Sequence, residues 1–319
     1  MGAWCLARKR AKRGQVFRFM YYNYKCMLTK TQKIIRSAQT VSFLRAVANV
    51  ETDTAVRSGD CIAKKLLDAK YKRLLHFIPH RFLKELIHFS APGTYCSMII
   101  RTKHFDNILL QEIRNGVKQV VILGAGYDTR SYRFPDELKN VQIFEVDLPD
   151  TQFLKNNRLM QQGIAVPDNV RFVPIDFNKE RCETVLLNKG FSLHEKTLFL
   201  WEGVTYYLPV SSVQQILQFV SSCAPGSSIL FDYAIRTFVN GDVSTYGGRK
   251  FARWLNKIKE PFLFGLNSCE TKEFVNNNGL CLVTDYGPEE FEKKYLSTVK
   301  GQILGKAVGH FRIAHASVE

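Results

Sequence analysis

The chain has 319 residues, 45% of them apolar, which is enough for one large domain or two small ones around a sizeable core. No run of about 18 apolar residues occurs, which argues against a membrane span. Net charge is +16, but eleven Lys and Arg lie within residues 1–50 and the first acid is Glu51, leaving only +5 for the rest; a body so mildly basic does not imply a nucleic-acid surface.

The acid-free start, residues 1–30, reads as a basic extension. A solvated tail, an organelle transit segment, or an arm touching RNA or membrane would each have this composition. Met27 offers an alternative start. Gly2 and Cys5 resemble a lipidation signal, but Leu6 stands where the myristoylation pattern wants Ser or Thr. Eight cysteines are scattered without a C-x-x-C pair, as expected for reduced thiols packed in an intracellular protein. The expected compartment is the cytoplasm, with mitochondrion or plastid as the alternatives that the basic start allows.

Residues 31–118 read as a helical cap. "FLRAVAN", "IAKKLL", "RFLKELIHF" and "FDNILLQEI" all space apolar residues three and four apart. From residue 119 to 319, strands alternate with helices. "QVVILG" (119–124), "VQIFEVD" (141–147), "VRFVPID" (170–176), "TLFLWEG" (197–203), "SSILFDY" (227–233), "LCLVTDY" (280–286) and "HFRIAH" (310–315) are short and apolar, as strands covered on both faces are. "SVQQILQFVSSCA" reads as the helix between the fourth and fifth. Seven strands in this rhythm predict a doubly wound α/β sheet. Residues 236–268 break the rhythm with an aromatic, basic stretch, either an ordinary crossover or a lid over the ligand edge.

The stretch "VVILGAGYDTRSYRF" (120–134) runs from a strand into Gly124 and Gly126. A dinucleotide fingerprint wants a third glycine where Thr129 stands, and no G-K-[ST] follows for a P-loop. The turn suits a nucleoside ligand whose sugar or amino-acid part the backbone approaches closely. Asp147 ends the second strand, at the spacing of an acid that holds a ribose. Asp176, with Phe177 beside it, ends the third and can face an adenine amine. Glu202 ends the fourth. Ligands of open α/β sheets lie outside the carboxyl ends of strands, so these groups aim at one crevice.

With these residues in order, the chain resembles the leucine carboxyl methyltransferase family, including its bacterial and polyketide-type O-methyltransferase branches. The likeness rests on "RTKHFDNIL", "VVILGAGYDTRSYRF", "FEVDLP", "FVPIDF", "LFLWEGVTYYLP" and "EPFLFGLNSCETKEFVNNNGL". It implies a Rossmann-like seven-stranded class I methyltransferase fold with an N-terminal cap and an inserted lid. It also implies S-adenosyl-L-methionine as cofactor. By the resemblance, Arg101 pairs the methionine carboxylate, Gly124 and Gly126 lie against the ligand, Asp147 holds the ribose, Asp176 and Phe177 flank adenine, and Glu202 faces the methionine amine or the substrate. Tyr206 and Tyr207 fall near the pocket mouth, and Arg45 corresponds to a basic residue of the cap. The resemblance leaves the acceptor open, a small molecule or a protein: a protein C-terminal carboxylate, a small acid or a polyketide hydroxyl would all suit.

A hydroxyl acceptor needs a base, but none of the seven histidines sits on a motif, and no catalytic base is assigned. His76 and His80 are separated by Pro79 and lack an H-E-x-x-H context, so no metal site is expected. Two other classes fit parts of the sequence: an NAD(P)-dependent oxidoreductase, weakened by Thr129, and a non-catalytic RNA-associated module using the basic arm.

Overall fold

The structure, a computed structural model, describes residues 30–177 and 180–319; the basic extension, apart from Lys30, lies outside them. Four helices come first: α1 (Lys30–Asn49), α2 (Ala69–Phe77), α3 (His80–Ser90) and α4 (Thr94–Arg114). "IAKKLL", expected to be helical, is instead a single tight turn, Ala63–Leu66. Gly59 at φ +80° breaks the chain direction, and one Asp60 carboxylate oxygen accepts from the amides of both Ile62 and Ala63, so the segment turns without propagating.

The strands are β1 (Gln119–Leu123), β2 (Gln142–Asp147), β3 (Val170–Pro174), β4 (Thr197–Trp201), β5 (Ser228–Ile235), β6 (Gly265–Leu266), β7 (Cys281–Tyr286) and β8 (Phe311–Ser317). Their order in the sheet is β3-β2-β1-β4-β5-β8-β7. β1 to β5 are parallel neighbours, while β8 runs antiparallel between β5 and β7. The seven strands read from sequence are all present. The additional β6 is a two-residue pairing against Ala234 and Ile235, too short to leave a periodic signal.

Strand alternation divides the core in two. Val120, Ile122, Ile143, Leu198, Leu200 and Leu230 pack with Val47, Ile99 and Phe105 of α1 and α4. Val121, Leu123, Phe144, Phe199 and Phe231 face the other way, onto the helices Cys182–Asn188, Val210–Ser221 and Thr271–Asn276. Both faces are covered, which is why the strands read as continuous apolar runs. Cap and sheet share one apolar cluster, so the cap is seated on the sheet.

The second face centres on Phe144, Phe191, Phe199 and Phe219, whose ring centroids lie 5.7–6.0 Å apart. Replacing Phe199, fully buried within this cluster, with alanine is expected to cost roughly 3–5 kcal/mol in urea unfolding.

Candidate active site

The same alternation places the polar groups. Glu202 lies two residues beyond Leu200, and Asp232 two beyond Leu230, so both side chains project from the face that α4 covers. The β4–β5 register pairs Trp201 with Phe231, which sets Glu202 beside Asp232. Arg101 of α4 reaches both: its Nε is 3.0 Å from Glu202 and its Nη1 3.1 Å from Asp232. A guanidinium has five N–H groups, and the Nη2 pair touches the Met98 thioether at 3.9 Å.

Behind Glu202 stands Arg130, 1% exposed. Its Nη2 is 2.8 Å from Glu202, its Nε 2.8 Å from Asp106, and its Nη1 meets Asp128. Arg133 grips the same Asp106 with two bonds of 2.7 and 2.8 Å and approaches Asp60, which also pairs Arg45 at 3.3 Å. Burial alone would lower the Arg130 pKa, but Asp128, Glu202 and Asp106 more than offset it and raise it well above its usual value. For Glu202 burial acts upward, and Arg130 and Arg101 outweigh it, so the carboxylate stays ionised. Asp232 differs: burial pushes it up to about 6 although Arg101 and the Gly203 amide oppose the shift.

At the β1 end, Gly124 has φ +68°, and a Cβ there would lie 2.4 Å from Val204 Cγ2. Gly126, at φ +49°, donates its amide to Asp147 Oδ2 at 2.5 Å; Leu148 donates to Oδ1 at 2.6 Å. Burial raises the Asp147 pKa against these donors. Each carboxylate oxygen keeps a lone pair for a further donor. Glu145, two residues earlier, is spent on a buried pair with Lys155 at 2.6 Å.

Two cavities meet here. One, of about 670 Å³, is lined by Arg101, Gly124, Gly126, Asp147, Asp176, Phe177 and Glu202, so all seven residues singled out from sequence converge on it. Arg45 and Tyr127 also line it, and residues 259–263 contribute to its wall. The other, of about 460 Å³, is mainly apolar and runs between the cap and the segment 236–268, whose helix Gly248–Ile258 contributes Phe251 and Trp254. Arg101, Gly203 and Tyr207 belong to both, and Asp232 and Tyr206 stand on the apolar side of the junction. No histidine lines either cavity among the described residues.

Sequence reasoning missed Arg130, Asp106, Asp128 and Asp232. "RTKHFD" and "GYDTR" contained three of them, but nothing local says that Arg130 turns inward. Asp232 was visible only as a lone acid inside an apolar strand, a signal that a buried partner exists. The helix after the glycine turn is just Arg130–Arg133, so it presents no long helix N-terminus to a pyrophosphate, and the dinucleotide reading finds no support.

Together with the relatives that follow, the fold and the paired cavities define a class I S-adenosylmethionine-dependent methyltransferase. The sequence profile of the leucine carboxyl methyltransferase family matches residues 38–221, and the chain belongs to that family. It is 31% identical over 214 residues to a Bacillus subtilis protein, YktD, whose name provisionally assigns it S-adenosyl-L-methionine-dependent methyltransferase activity; the match covers 67% of this chain and 70% of that one. A similarly named Mycobacterium marinum protein is 35% identical, over 42% of this chain and 41% of its own. In fold, the chain is similar to a DUF574 family protein from Streptomyces avermitilis, with a TM-score of 0.58 and 13% identity over 88% of this chain and 97% of the other. S-adenosyl-L-methionine is thus the methyl donor. The residues present fit it: the first cavity has the size of a nucleoside-sulfonium ligand, its floor at Gly124 has no room for a side chain, and Asp147 is a buried carboxylate on its wall.

Arg130→Met would remove one cation, leave the buried Asp128 without an ion pair, and leave Asp106 and Glu202 with one guanidinium each. The expected loss is about 3–5 kcal/mol in urea unfolding, well beyond that of an exposed Arg→Met change.

Proposed function

We propose that the enzyme transfers the methyl group to an oxygen of an acceptor seated in the apolar cavity, with the donor in the polar one. The observation that carries this reading is the junction itself: Arg101, Gly203 and Tyr207 belong to both cavities, so ligands filling them would meet there. Asp147 would take the ribose hydroxyls with its remaining lone pairs, and Gly124 and Gly126 would let the backbone approach the sugar and amino-acid parts. Asp176 and Phe177 would flank the adenine. Arg101 would offer its Nη2 hydrogens to the methionine carboxylate, and Glu202 would face the amine. When bound, the cofactor supplies an electrophilic methyl on a sulfonium. The protein's own share is positioning, worth roughly 7–11 kcal/mol where alignment is good, together with exclusion of water by the cap and residues 236–268.

Charge favours a hydroxyl acceptor over a carboxylate. At the junction Arg101 already meets Glu202 and Asp232, and its Nη2 hydrogens would go to the methionine carboxylate, so it would have no donor left for an acceptor carboxylate. A hydroxyl would find in Asp232 a carboxylate on the acceptor side able to take its proton, and a pKa near 6 suits a general base at neutral pH.

Two measurements test the reading. Calorimetry with S-adenosylhomocysteine should give Asp147→Ala an affinity about tenfold to a hundredfold below wild type, since a bidentate contact is lost; undiminished binding would remove Asp147 from the site. Methylated product from isotopically labelled donor should resist alkali, as an ether does; methanol released by alkali would mean an ester and a carboxylate acceptor. With a hydroxyl acceptor, Asp232 works only when ionised. The rate should therefore fall as pH drops through about 6, and that limb should be absent in Asp232→Asn at its lower overall rate.

A further inference from the structure

The apolar cavity is lined in part by Lys70, Tyr71 and Leu74 of α2, Ile87 and Ser90 of α3, and residues of the Gly248–Ile258 helix. α2 and α3 together carry Lys70, Lys72, Arg73 and Arg81 against one acid, Glu85, while Lys84 turns inward to pair Glu51 at 2.9 Å. The Gly248–Ile258 helix carries Arg249, Lys250, Arg253 and Lys257 and no acid. Phe77, Phe82 and Phe89 stand 73%, 47% and 64% exposed. Phe82 and Phe89 are seven residues apart and share one face of α3. Leu83 and Ile87 on its other face are buried, so the helix is amphipathic on one side and still aromatic on the other. Lys250 Nζ lies 4.5 Å from the Phe89 ring and also bonds the Phe89 carbonyl, which joins the two basic elements into one surface.

Aromatic rings projecting from a cationic, acid-poor helical surface match the chemistry of an anionic bilayer. The rings enter the acyl boundary and the cations meet lipid headgroups. Among the described residues no helix is long and apolar enough to cross a membrane, so contact here is interfacial. We propose that α2, α3 and the Gly248–Ile258 helix dock on an anionic lipid surface, and that the acceptor is an amphiphile drawn from that surface into the apolar cavity. The docking follows from the exposed side chains alone; the acceptor's route rests on the proposed use of the two cavities. The same helices line the cavity and carry the exposed rings, so a lipid-dissolved acceptor would have a short path from bilayer to cavity.

Flotation of the full chain with vesicles of phosphatidylglycerol and phosphatidylcholine tests this. Wild type should float with anionic vesicles, should stay behind with pure phosphatidylcholine, and should be released by salt. The combined variant Phe77→Ser, Phe82→Ser, Phe89→Ser should lose about tenfold or more in partitioning, as expected on removing buried phenyl groups. Arg249→Gln with Arg253→Gln should weaken binding and flatten the salt dependence. None of these residues lines either cavity, so calorimetric binding of S-adenosylhomocysteine should be unchanged. Its loss in wild type would overturn the two-cavity reading, not the docking. Flotation that is absent, or unchanged in the triple serine variant, overturns the docking. So does flotation that depends only on residues 1–29, or a triple variant whose sole effect is to dissociate a dimer in sedimentation.

Discussion

Burying Arg130 is the constraint around which the molecule is arranged. A guanidinium 1% exposed is tolerable only if fixed carboxylates surround it, and its three come from α4, from the glycine turn and from the end of β4. Asp106 is shared onward with Arg133, Arg133 with Asp60, and Asp60 with Arg45 of α1. Glu202 is shared onward with Arg101, and Arg101 with Asp232 of β5. Four guanidiniums thus alternate with five carboxylates from the cap to the middle of the sheet. Neither part satisfies its charges without the other, so docking of the cap and assembly of the ligand wall are one event. The surplus carboxylate leaves the site anionic, an environment that favours a cationic sulfonium.

The sheet was legible because two-sided burial writes itself as short apolar runs, and all seven runs became strands. The glycine turn and the acids at the tips of β2 and β4 were legible for a related reason: parallel strands bring their ends to one edge whatever the loops do. What escaped is what depends on contacts distant in sequence. Arg130 meets residues 24 positions before it and 72 after, and no local pattern encodes such pairings. Asp232 sits inside an apolar strand, where sequence alone does not say which partner keeps it. The "IAKKLL" turn shows the opposite failure, apolar spacing suited to a helix but overridden by Gly59 and the Asp60 side chain.

The cavities divide the chemistry by polarity. One wall is built from strand tips, rigid and rich in backbone donors. The other is built from helices that lie outside the parallel sheet, the cap on one side and residues 236–268 on the other. Tyr206, at the junction, packs against Phe262 at 4.3 Å and Phe311 at 5.1 Å, so the aromatic layer of that second wall is continuous with the residue beside Asp232. In the proposed arrangement, changes in the helical wall would alter the acceptor while the strand-tip wall kept the donor.

The position of β8 has a consequence for biosynthesis. β7 leaves the ribosome first, yet its place in the sheet is beside β8 and not beside β5. Until β8 is made, most of one side of β5 lacks its partner, and β7 has no strand to join. The nascent chain must carry an open edge in the middle of its future sheet for that interval, which is where a holding chaperone would be expected to bind it.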